Sequence, residues 1–138
     1  MDIQTQYTNH LVKNEDLNHH GTLYAGRTAE WFVEAGFISA AKLTNPENIV
    51  CLKIHGMLFS KTVHCGDILS LESKIILAGK TSLVAYIQAL QNGNPLLRGF
   101  ITFVYVDKQG KSQPHGITIT PTNPKDLALQ AEARKLHK

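Results

Sequence analysis

Three groups of residues have the types and spacing to do chemistry. The run Asn18-His19-His20-Gly21-Thr22-Leu23-Tyr24-Ala25-Gly26 leads straight into a segment of helical apolar period. Glycines at a loop-to-helix junction let backbone N–H groups point at a ligand, and a helix N-terminus favours negative charge. The N–H groups of Ala25 and Gly26 are the candidates to hold an oxyanion. Glu30 and Glu34, at i and i+4, lie about 40° apart on one side of the helix that follows. A carboxylate there could activate water, and a close like-charge pair would raise one pKa. His19, His20, Asn18 and Thr22 could hold water or polarise a carbonyl; their structural alternative is to cap and turn the loop. Lys61, Lys80 and Arg98 are cations that could meet a phosphate, and Tyr24 and Trp31 are packing residues with a possible share in an apolar pocket.

Composition narrows what this chemistry can serve. A chain of 138 residues is one domain by length, and 43% hydrophobic with 18% charged residues suits a globular core. The formal charge of +3 is mild, and Lys125, Arg134, Lys135, His137 and Lys138 concentrate basic groups in the tail, so a nucleic-acid partner is not expected. Cys51 and Cys65 form no C-x-x-C pair, and His19, His20 and Glu34 lack metal-ligand spacing. Two buried, reduced thiols and no metal are the expectation. No basic and apolar leader opens the chain and no stretch approaches the roughly 18 apolar residues of a span, so a soluble, cytoplasmic protein is expected.

The elements that must position these residues follow from periodicity. Gln4 to Val12 reads as a strand, and Lys13 to Gly26 as a long polar loop of the kind that carries function. From Arg27 to about Leu43, Ala29, Phe32, Val33, Gly36, Phe37 and Ala40 mark one apolar helix face, ended by Asn45-Pro46. Strands follow over Ile49 to Phe59, Ile68 to Ala78, Thr81 to Gln91 and Leu96 to Asp107, with turns at Gly79-Lys80 and Asn92-Gly93-Asn94-Pro95. The last strand is apolar on both faces and is expected to be central. Ser73 is the exception on an otherwise apolar strand face. After Pro121 and Pro124, Lys125 to His137 reads as a short polar helix with Leu127, Ala128, Ala131 and Leu136 on its weak apolar side. The class is α+β: a curled, five-stranded antiparallel sheet around one long central helix, with residues 1–117 as the domain and 118–138 as a C-terminal linker and short helix.

Three motifs carry a family resemblance over about residues 10 to 112. The Asn18–Gly26 run resembles the Asn-x-x-Gly-Thr/Asn/Asp-aliphatic-aromatic-Gly-Gly entry of hotdog-fold acyl-CoA thioesterases, the acyl-CoA hydrolase branch of the 4-hydroxybenzoyl-CoA thioesterase-like superfamily. Phe59-Ser60-Lys61-Thr62-Val63-His64-Cys65-Gly66-Asp67-Ile68-Leu69 is similar to that family's F-x-x-P-V-x-x-G-D-x-L turn, with Thr62 in place of Pro. Phe103 to Asp107 followed by Gly110-Lys111 resembles its last strand and turn.

The resemblance implies a hotdog fold and hydrolysis of an acyl-CoA thioester. CoA is then part of the substrate, no separate cofactor is needed, and the chain forms a dimer, or a tetramer or hexamer, with the site between subunits. It also implies roles: Ala25 and Gly26 hold the oxyanion, Asn18 or His20 positions water or substrate, and Thr22, Tyr24, His19, Lys61 and Arg98 contact substrate. The family's carboxylate falls on Val33, which cannot do that work, so the resemblance passes the role to Glu34 first and Glu30 second. Two alternatives stay open: a dehydratase or hydratase of the same fold, and an acyl-CoA-binding domain without catalysis.

Overall fold

The computed structural model describes residues 2–136. Strand β1 (Gln6–Leu11) is followed by the loop and by α1 (Ala25–Ala41), then β2 (Ile49–Ile54), β3 (Ile68–Ala78), β4 (Ser82–Gln91), β5 (Asn94–Tyr105) and α2 (Pro124–Arg134). The five strands form one antiparallel sheet in the order β1-β3-β4-β5-β2. The sheet curls around α1, giving the hotdog architecture expected of the sequence.

Hydrophobic burial makes β4 the middle of the molecule. Its inner residues Leu83, Ala85, Ile87 and Ala89 pack into the main core with Phe32, Leu71, Ile101 and Phe103. Its outer residues Val84 and Tyr86 join Ile76 and Phe100 in a second core, closed by Leu129 and Ala133 of α2. The last strand, expected to be central, is an interior strand paired on both sides and one place from the middle. β5 lies between β4 and the edge strand β2, because strand order is set by pairing, which apolar content does not encode. The β4–β5 turn is tight: Asn92 (φ 48°) and Gly93 (φ 86°) both take the left-handed conformation that matches strand twist, and Gln91 pairs with Asn94.

Helix α1 buries Thr28, Trp31, Phe32, Ala35, Gly36, Ser39 and Ala40. At about 100° per residue, that stripe is rotated roughly a quarter turn from the face read from hydropathy. Two polar side chains explain the shift. The Ser39 hydroxyl donates to Gly36 O at 2.8 Å within the helix. The Ser73 hydroxyl donates to Ala35 O at 2.6 Å, which accounts for a serine on an apolar strand face. Gly36 lets the helix settle on the sheet: a Cβ there would stand 3.1 Å from Ile87 Cδ1. Val33 is half-buried on one flank of the stripe, and Trp31 lies on the other, stacked on His10 of β1 at 4.1 Å.

Two further expectations are corrected. The buried face of α2 is Asp126, Leu129, Gln130 and Ala133, while Leu127, Ala128 and Ala131 are exposed. Asp126 pairs with Lys74 and Gln130 Nε2 donates to Ile76 O at 3.1 Å, so polar residues on this face have partners that hydropathy does not count. His137, where the helix was expected to end, lies outside the described residues. Both cysteines are exposed: Cys51 on edge strand β2 and Cys65 in the turn before β3.

Both edge strands carry exposed apolar side chains, Tyr7 and Leu11 on β1 among them. On β2, Val50, Leu52 and Ile54 are exposed at 45%, 59% and 40%, and Leu52 is the extra residue of a bulge between the Cys51–Phe103 and Lys53–Thr102 pairs. An edge with exposed apolar side chains and unpaired backbone is a template for a further strand.

Candidate active site

The loop before α1 is built around two side chains. Asp16, 4% exposed, accepts Lys13 N–H at 2.9 Å and lies 3.3 Å from Arg27 Nε, while its backbone oxygen accepts Tyr24 N–H at 2.9 Å. Asn18 Oδ1 accepts the N–H groups of His20 (2.8 Å) and Thr22 (3.2 Å). Gly21 (φ 78°) closes this turn, and Leu23 N–H donates to Val63 O at 2.7 Å, tying the loop to the segment before β3.

The chain then enters α1 with no side-chain cap. Tyr24 occupies the cap position without capping, and Ala25 and Gly26 are the first two helical residues. The N–H groups of Arg27 and Thr28 turn back to Tyr24 O at 2.9 and 3.2 Å. Among the described residues no acceptor takes the N–H of Ala25 or Gly26, and both residues are exposed. These are the orphan donors of a helix start, left open toward solvent. The exposed Tyr24 ring lies over Gly26, where it would have to swing aside for any side chain.

Ala25 opens on a cleft of about 240 Å³. Asn18, Thr22, Leu23 and Thr28 form one side; Phe59 to Val63 and the start of β5, Leu96 and Leu97, form the others. Its floor is apolar and Lys61 is the one charged side chain among its lining residues. Lys61 Nζ donates to Pro95 O at 3.3 Å across the mouth. A cation, free backbone N–H groups and an apolar floor suit an anionic or carbonyl-bearing ligand with an apolar part.

The cleft therefore joins Asn18, Thr22, Ala25 and Lys61, with Gly26 beside them. The other sequence-derived residues lie elsewhere. His19 and His20 are exposed on the loop, their rings 3.9 Å apart. Tyr24 covers Gly26. Arg98 stands on the outer face, where Nη2 meets both Glu132 oxygens at 2.8 and 3.0 Å and the guanidinium lies 5.6 Å from the Tyr86 ring. Glu132 raises the Arg98 pKa, and the residue serves the α2 contact. Glu30 is salt-bridged to Arg27 at 3.5 Å, so it does not stand as an isolated pair with Glu34. Glu34 is exposed on the flank of α1 that carries Trp31 and acts electrostatically on His10, whose pKa is lowered by burial. Measured around the helix, Glu30 is about 60° from Val33 and Glu34 about 100°.

Sequence reasoning missed Thr28 and Asp67. Thr28 was masked by a hydropathy reading that put the helix face elsewhere. Asp67 was quoted only as part of a turn motif. Its carboxylate accepts His64 N–H at 2.8 Å, Gln91 Nε2 at 2.9 Å and Asn92 Nδ2 at 3.0 Å, and these donors hold its pKa down to about 2. Among the described residues no group of three or more His, Cys, Asp or Glu could hold a metal ion, and no helix is long and apolar enough to cross a membrane.

Comparisons with known proteins identify the family. An acyl-CoA thioester hydrolase of Bacillus subtilis strain 168, YkhA, itself uncharacterized, is 29% identical over 105 residues, which cover 72% of this chain and 60% of the relative. The chain thus spans about 60% of the length of the curated relative it matches. A hexameric acyl-CoA thioesterase, solved in its apo form, superposes with a TM-score of 0.85 at 26% identity, covering 94% of this chain and 86% of its own. An acyl-CoA hydrolase from Bacillus cereus shares the fold at a TM-score of 0.86, 24% identity, 94% and 82% coverage. Residues 20–97 match the family profile described as the Thioesterase superfamily. That stretch holds most of the loop motif, all of α1 and every residue lining the cleft except Asn18, and on it the chain belongs to the Thioesterase superfamily.

Proposed function

We propose that the protein acts in the cytoplasm as an acyl-CoA thioester hydrolase, with CoA as part of the substrate and no further cofactor. The observation that carries this reading is the cleft in which uncapped N–H groups at the start of α1 meet Asn18 and Lys61. The thioester carbonyl oxygen lies against the Ala25 and Gly26 N–H groups. Water adds to the carbonyl carbon, the oxyanion is held by those donors, and the C–S bond breaks to leave a thiolate that takes up a proton. The products are a carboxylic acid and CoA. Preorganised donors of this kind are worth about 3–4 kcal/mol each in the transition state. Asn18 and Thr22 orient water or the acyl group, and Lys61 meets a CoA phosphate.

No carboxylate lines the cleft of a single chain. The site is therefore completed by a second copy, added along the apolar β2 edge of Val50, Leu52 and Ile54. Glu30 lies nearer the helix flank of Val33 and Glu34 lies on the flank toward β1, so Glu30 is the first choice for the water-activating acid and Glu34 the second. Residues 1–117 form the catalytic unit in this reading, and residues 118–138 hold its outer face through α2. Superfamily membership and the two similar proteins named for acyl-CoA hydrolysis support the substrate class.

One observation favours a second reading. With Val33 where the resemblance expects an acid, the same cleft would suit an acyl-CoA-binding domain without turnover. A thiol-release assay over acyl-CoA esters separates them. Turnover lowered in Glu30→Gln supports the hydrolase and its acid. Saturable ester binding with no thiol release supports the binding domain, and unchanged turnover in both Glu30→Gln and Glu34→Gln removes both acids from the site.

A further inference from the structure

The Gly66-Asp67 turn belongs to a sequence motif, but the proposed chemistry does not use it. Its hydrogen bonds nonetheless end on the cleft. Asp67 Oδ2 accepts His64 N–H and Gln91 Nε2, and Oδ1 accepts Asn92 Nδ2. The same Gln91 nitrogen donates to Thr62 O at 3.1 Å, and Thr62 belongs to the cleft wall. Asn92 opens the tight turn into β5, whose Leu96 and Leu97 form the facing wall. Asn92 Oδ1 in turn accepts Ile68 N–H at 2.9 Å, and Asp67 O accepts Val12 N–H at 2.9 Å. One carboxylate thus ties the Phe59–Val63 wall to the β4–β5 turn from behind, while Lys61 bridges to Pro95 O in front.

We propose that Asp67 is a positioning residue that sets the separation of the two cleft walls, and through it which acyl-CoA thioesters the cleft admits. The inference rests on the thioesterase reading. The role needs an ionised carboxylate, since three donors converge on two oxygens and a neutral amide can accept on only one side. The depressed pKa, about 2, keeps Asp67 ionised across any ordinary assay range.

The test compares the full chain with Asp67→Asn and Gln91→Ala across straight-chain acyl-CoA esters of increasing length. Gln91→Ala keeps the carboxylate and its bonds to His64 and Asn92 but cuts the path from Asp67 through Gln91 to Thr62, so it reports even where Asp67→Asn folds poorly. The expected result is a KM raised about tenfold, a flattened ranking of chain lengths and a much smaller change in kcat. The double variant should be little worse than either single one, because both break the same network. A merely structural role would lower the melting midpoint and the active fraction while leaving KM and the ranking unchanged, and that result overturns the inference alone. A wild type without turnover overturns the thioesterase reading and the inference together.

Discussion

The two helices begin in opposite ways. At α2, Asn123 caps the helix by accepting Asp126 N–H at 2.8 Å, Pro124 supplies a first residue with no N–H to satisfy, and Asp126 places an acid in the first turn. At α1, Tyr24 gives no cap, the first turn holds no acid, and Ala25 and Gly26 keep their N–H groups free. The same sequence solves the helix-start problem fully where the helix only packs, and leaves it open where a cleft adjoins. Unsatisfied donors held at a fixed place lower stability a little and gain a place for negative charge to develop. The difference is what makes the α1 end the candidate for the proposed oxyanion site.

The largest expected effect comes from making α1 resemble α2. Tyr24→Asp supplies a capping carboxylate that occupies the N–H groups of the first turn. The melting midpoint should rise by the equivalent of about 1 kcal/mol, while kcat/KM falls about a hundredfold because the oxyanion loses its donors to a fixed negative charge. Next is the outer anchor. Lys74→Ala leaves Asp126 in a nearly buried position with only its Asn123 partners, at a cost of about 2 kcal/mol in denaturant unfolding, below the usual figure for a buried pair because those partners remain. Asn123→Ala then removes the α2 cap for about 1 kcal/mol, with turnover per folded molecule unchanged in both outer variants.

The smallest effect is the pH dependence carried by Asp67. Its folded pKa, about 2, lies below the ordinary value of 3.8, so its contribution to stability is full above pH 4. That contribution is lost as pH falls from about 4 through about 2, where the folded state must also take up the proton. Thermal melts across that window should show a stability slope that Asp67→Asn reduces.

The parts legible in the sequence were those written in local pattern. The β3 alternation, the Asn92-Gly93 turn and the helix stop at Asn45-Pro46 each have a local cause. The start of α1 was placed two residues late, at Arg27 rather than Ala25, because the signal sought there is a capping residue and this helix has none. The faces of α1 and α2 were misread for one reason: Thr28, Ser39, Asp126 and Gln130 are polar yet buried, and their partners, such as Gly36 O and Ile76 O, exist only after folding. Of the candidate site, the loop motif gave Asn18, Thr22 and Ala25, which line the cleft, and the turn motif gave Lys61, which lines it too. Arg98 was drawn to the outer face by Glu132, a contact between distant segments that composition cannot reveal.

The central claim is that the free N–H groups at the start of α1 hold the oxyanion of a thioester. Ala25→Pro tests it most directly, since proline is well tolerated at the first helical position and removes one N–H and little else. In a steady-state thiol-release assay beside a melting curve, kcat should fall about 10²–10³-fold with the melting midpoint unchanged. An Ala25→Pro protein that folds as before and turns over acyl-CoA at the wild-type rate would contradict the account.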